Sequence, residues 1–193
     1  MPYLEQLVNN INEQIKSSLK FISEGQIATY GISEAIVEPI DEKSYKSYPA
    51  IINEDGDATM IEINDVYGII IYHKLDSITN ALALTKNQWG NEHYLSESAN
   101  MTMIVIAFRD QVKRTASFLE AVIKDKLEET MAVETQKSTL RPGASNFDKL
   151  SILTREYLNS APELNFPQLI IFELKYVIAS IYKKGCLDNC LQC

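Results

Sequence analysis

The sequence predicts an α+β fold, a mostly antiparallel sheet with an N-terminal helix and a long helix packed on one face. Three observations carry this expectation. Apolar residues near the N-terminus recur every three or four positions, short runs of β-forming residues follow between turn residues, and a second helical period comes after them. The 193 residues are 46% hydrophobic and 23% charged, enough apolar material for one domain with a buried core.

Leu4, Leu7, Val8, Ile11, Ile15, Leu19 and Ile22 fall on one stripe of a helix from about Tyr3 to Ile22. Asn9, Asn10, Asn12, Glu13, Gln14 and Lys16 are expected on its wet side, and Ser23-Glu24-Gly25 stops it. Gln26 to Glu38 is rich in Ile, Thr, Tyr and Val and reads as a strand ended by Pro39. Tyr48 to Ile52 and Thr59 to Ile63 read as strands joined by the turn Asn53-Glu54-Asp55-Gly56-Asp57, whose Gly and Asp tolerate positive φ. Gly68 to His73 is apolar on both faces and is expected to be central, completing an antiparallel meander with those two strands.

Asp76 to Ser98 is expected to be an excursion on the rim of the sheet. Ile78, Ala81, Leu82 and Leu84 suggest a short helix there, broken at Trp89-Gly90-Asn91. Asn100 to Phe108 returns to β-formers. Val112, Ala116, Leu119, Val122, Ile123, Leu127 and Met131 then hold helical spacing across a single helix, Gln111 to Met131. Residues 1–131 therefore form the α+β core, and the polar stretch 132–146, with Arg141-Pro142-Gly143, is a loop or linker. Residues 147–185 supply a helix at Phe147 to Leu158 and a strand at Gln168 to Tyr182 that returns to the sheet. In that strand Phe172, Leu174 and Tyr176 mark a dry face and Glu173 and Lys175 a wet one.

The tail, 186–193, holds all three cysteines, Cys186, Cys190 and Cys193. Their spacing, C-x3-C-x2-C, resembles the cluster-binding signature of radical S-adenosylmethionine enzymes. Such enzymes need a barrel downstream of the motif, and nothing follows Cys193, so accessible thiols are expected rather than a cluster. A zinc site would need a fourth ligand, and the only histidines are His73 and His93. His73 is expected to be structural, in a central strand, and His93 to lie in a surface loop.

No catalytic constellation emerges. The sequence has no G-x-S-x-G, no H-E-x-x-H and no Gly-rich phosphate loop. A calcium loop counted from Asn53 fails, since its sixth and twelfth positions are Ala58 and Asn64. The expectation is a protein that is not an enzyme, with no catalytic, cofactor-binding or metal-binding residues. Asp and Glu number 26 against 18 Lys and Arg, a formal charge of −8, which disfavours a broad grip on nucleic acid. No apolar run approaches the length of a membrane span, and Met1 to Glu5 does not open a signal peptide, so a cytosolic site of assembly is expected.

A leading amphipathic helix comes first, then a strand beginning near Ala28-Thr29-Tyr30-Gly31-Ile32. A meander around Tyr48-Pro49-Ala50 and Gly68 to His73, a further strand, and a helix along one face complete the order. This order resembles that of the tailed-bacteriophage neck and tail-terminator proteins over roughly Tyr3 to Met131. The resemblance implies a structural virion protein assembled in the host bacterial cytoplasm, a homomeric ring at the head–tail junction or on top of the tail. Its partners would be its own copies and other neck or tail proteins, with double-stranded DNA passing through without specific binding and no membrane contact. Interface candidates come from the two long connections: Trp89 and Tyr94 in the 76–98 excursion, and Arg141 in the 132–146 loop. The competing reading is a cytoplasmic α+β binding or adaptor module.

Overall fold

Leu4, Val8, Ile11 and Ile15 line the buried stripe of helix α1, Pro2–Ser18, and each removes most of an aliphatic side chain from water, worth about 1.5–3 kcal/mol apiece. The helix stops short of the expected Ile22 because the Ser17 and Ser18 hydroxyls donate to the carbonyls of Gln14 and Ile15, each at 2.7 Å. Leu19 is still fully buried, carried by a turn in which its N–H donates to the carbonyl of Lys16. The computed structural model describes residues 2–39, 45–53, 55–87, 90–129, 134–138 and 169–183. The expected helix at Phe147 to Leu158 and the cysteine tail lie outside these residues.

Among the described residues seven strands follow: β1 Ile27–Pro39, β2 Tyr45–Ile52, β3 Ala58–Met60, β4 Ile69–Asn87, β5 Gly90–Phe108, β6 Glu134–Ser138 and β7 Leu169–Lys183. They form one sheet in the order β3-β2-β1-β4-β5-β7-β6, antiparallel throughout except where β1 runs parallel to β4. The fold is α+β, as the sequence predicts. The expected meander is corrected in one respect. β2 and β3 do form a hairpin around the Asn53 turn, where Gly56 takes φ 88, but β4 crosses over to pair with β1 instead of β3. Pairing between distant strands is not encoded in local period, and residues 61–68 supply the crossover while burying Ile61 and Ile63.

Period-two alternation divides the central strands between two cores. Ile69, Ile71, Met101, Met103, Val105, Ile170, Phe172 and Leu174 face the helices. Ile70, Tyr72, Ile104, Ile106, Leu169 and Ile171 belong to a second buried cluster with Tyr48, Ala50, Ile61 and Ile63. With both faces covered, the alternation of β7 does not separate dry from wet as expected. Glu173 is buried at 3% exposure on the second face, and only Lys175 reaches solvent.

The long second helix is also corrected. It is two helices, α2 Arg109–Val112 and α3 Ala116–Glu129, separated at Lys113, which adopts the left-handed conformation with φ 51. Thr115 then caps α3, its Oγ1 accepting the Phe118 N–H at 3.2 Å. Leu119, Ile123 and Leu127 are fully buried against the sheet and α1. Residues 134–138, expected within a loop, form β6 at the edge beside β7. Among the described residues no helix is long and apolar enough to cross a membrane.

Candidate assembly site: a splayed β arm and the polar pin at its root

Residues 76–87 and 90–98 form neither a helix nor a rim excursion. They belong to the distal part of an antiparallel pair that runs from Ile69↔Ala107 to Asn87↔Gly90, with one register shift between Leu75 and Ser77. Ile78, Ala81, Leu82 and Leu84 occupy strand positions, because cross-strand pairing overrides a spacing that also fits a helix. β1 accompanies β4 only as far as Ser33↔Lys74. Beyond that point β4 and β5 continue as an arm, joined by β7 out to Tyr94↔Lys183. From Ser77 to Asn87 the arm extends roughly 35 Å at the usual strand rise.

A bulge marks the root. The β4–β5 register jumps between Leu75 and Ser77, leaving Asp76 unpaired. Its carboxylate receives the Lys74 ammonium at 2.8 Å and the Thr102 hydroxyl at 2.5 Å, which fixes the bulge in place. A bulge bends its strand and sharpens the twist. Here it coincides with the parting of β4 from β1, whose residues 34–39 pair, among the described residues, with β2 alone. Past the bulge, Asp76, Ser77, Ile78, Thr79 and Asn80 are exposed, and the backbone edge of β4 away from β5 has no strand partner among the described residues.

Beneath the root lies a sealed polar chain. Asn12 of α1 donates through Nδ2 to the Tyr30 carbonyl at 2.9 Å. That carbonyl belongs to a second bulge, where β1 shifts register between Thr29 and Ile32 and Tyr30 has no register partner in β4. With its amide nitrogen so engaged, Asn12 presents Oδ1 to His73 Nε2 at 2.9 Å, which requires the proton on Nε2. Nδ1 of His73 is then the acceptor for the Tyr176 hydroxyl at 2.7 Å. Ser33 adds a bond to the His73 carbonyl at 2.9 Å. Exposure of His73, Tyr176 and Asn12 is 0%, 1% and 3%.

Burial pushes His73 down to about 3 and raises the Tyr176 phenol well above its usual range, so both are neutral. The side-chain polar atoms of Asn12, His73, Tyr176 and Ser33 all have partners in this polar chain. It is a pin that ties α1 to β1, β4 and β7, as the structural reading of His73 expects. Asn12 was expected on the wet side of α1 and is corrected. It stands four residues after Val8 and three before Ile15, inside the apolar stripe, and a lone amide there is the sequence signal of a buried hydrogen bond.

Of the three interface candidates, Trp89 and Arg141 lie outside the described residues. Tyr94 lies in β5 in the arm, opposite Ala83 of β4 and Lys183 of β7. His93, expected in a loop, is in β5 opposite Leu84. Among the described residues no three metal-ligating side chains come together. No protein-family model and no curated protein matches this chain.

Proposed function

We propose that this chain is a structural subunit of a tailed-phage virion, a ring-forming protein at the head–tail junction or at the top of the tail. The observation that carries the reading is the arm. A ring subunit must present its neighbours with a stiff surface beyond its own core, and a long β arm with an unpaired backbone edge does so through main-chain hydrogen bonds. The pin at the arm's root couples that surface to α1 and to the center of the sheet, so the arm is held by the most buried part of the molecule. The charge of −8 is compatible with a channel through which DNA passes without being gripped.

Negative-stain electron microscopy and native mass spectrometry of the purified full chain test the reading. Closed rings of several copies are expected. A monomer at every concentration favours the competing binding-module reading.

A further inference from the structure

The surface where α1 turns toward the sheet and α3 begins has the makings of a docking site. Phe21 meets Phe118 edge to face with ring centroids 5.5 Å apart. The Arg114 guanidinium lies over both rings, 5.4 Å from the Phe21 centroid and 5.6 Å from that of Phe118. Two rings orient the cation, and no described carboxylate forms an ion pair with Arg114, Lys113 or Lys20. Phe118 keeps 43% of its surface exposed. Lys113, in its left-handed conformation, and Lys20 stand exposed beside this pair. A guanidinium already stacked in place loses little freedom when it meets a carboxylate.

The same chain carries the complement on a different surface. From Ser47 to His73 the sequence contains no Lys or Arg, and Asp55, Asp57 and Glu62 are exposed there. They flank β3, the strand at one edge of the sheet, and none forms an ion pair with a described cation. Met60, 39% exposed, stands among them as an apolar contact, and its thioether suits an exposed aromatic ring such as Phe118. A basic aromatic patch on the helical layer and an acidic apolar edge on the sheet are two different surfaces of one subunit. Their contact is heterologous, the kind that closes rings.

We propose that the Arg114–Phe118 surface of one copy receives the acidic β3 edge of the next copy. The proposal rests on the ring reading above and names one of its interfaces. Arg114→Ala and the pair Asp57→Asn with Glu62→Gln, all at exposed positions, are made separately in the full chain. Their sedimentation is compared with that of the wild type at low and high salt. The wild type assembles, less tightly at high salt. Each variant raises the dissociation constant by about tenfold or more at unchanged melting temperature. An equimolar mixture of the two variants associates more tightly than either variant alone, because one intact Arg114–β3 contact is restored between them. Assembly of the variants indistinguishable from wild type overturns this contact and leaves the ring reading standing. A wild type that stays monomeric overturns both. If Arg114 instead governs salt-dependent binding of duplex DNA to a monomer, the partner is a phosphate backbone and the proposal falls.

Discussion

Tyr176 donates its hydroxyl proton to Nδ1 of His73 across 2.7 Å, linking β7 to β4 over 103 residues of sequence. The two rings also meet edge to face, 5.8 Å between centroids, so the bond is set by packing as well as by chemistry. Tyr176→Phe keeps the ring and removes only the donor. It leaves Nδ1 buried without a partner, and a loss of about 1–3 kcal/mol in unfolding free energy is expected. Urea denaturation measures it, and an effect below about 0.5 kcal/mol would mean that the hydroxyl contributes nothing to the pin.

The same pin makes stability depend on pH. His73 titrates at about 3 in the folded chain, lowered by burial, and an unfolded histidine titrates at about 6.5. Between those values the unfolded chain holds the extra proton. The His73 contribution is therefore complete above about pH 6.5 and is lost as pH falls toward 3, by up to about 1.4 kcal/mol per pH unit. His73→Gln keeps a donor and an acceptor but cannot titrate. The loss of unfolding free energy between pH 6.5 and 4.5 should be about 2–3 kcal/mol smaller in that variant than in the wild type. Parallel pH profiles would show that His73 is not buried in its neutral form. On the alkaline side the sign reverses for Tyr176, whose raised pKa means that its contribution fades as pH rises above about 10.

Helical spacing made α1 legible, β-forming composition made β1 legible, and the period of two over residues 172–176 marked β7 as a strand although both of its faces are buried. Periodicity could not reveal that β4 crosses to β1, since strand order depends on contacts between segments far apart in sequence. It misassigned 76–98, where Ala, Asn, Lys and Glu lend no β propensity and the strand exists by pairing with its neighbour. Asn12 escaped because amides are usually placed in water, although its position in the stripe marked it. The break between α2 and α3 was invisible for a simpler reason. Val112 and Ala116 are four apart and both buried, so the helical pattern runs unbroken across a chain that is not helical there.

That break yields a prediction of opposite sign. Lys113 ends α2 in the left-handed region, its N–H bonded to the Arg109 carbonyl at 2.9 Å, a position that favours glycine. Lys113→Gly relieves the clash of Cβ with the backbone and should stabilise the fold by about 0.5–1 kcal/mol, after the greater freedom of glycine in the unfolded chain is set against it. A rise in melting temperature checks this. A fall would place the residue in an ordinary helical conformation.

Shortening the arm separates its role from that of the core. Ile78 and Ala99 face each other across β4 and β5, so a two-residue Asn-Gly turn can replace residues 79–98 and close the hairpin there. The pairs from Ile69↔Ala107 to Leu75↔Met101 remain, and with them the buried residues of both clusters. The shortened chain should fold with cooperative unfolding, because the residues just past the bulge are exposed and contribute little to either core. β7 loses its partner beyond Ile178, which is a local cost at the end of a strand. If the arm is what neighbours grip, rings disappear while the melting transition survives. Rings from the shortened chain would move the interface elsewhere. A chain that no longer folds would make the arm part of the core, with β7 dependent on the full length of β5.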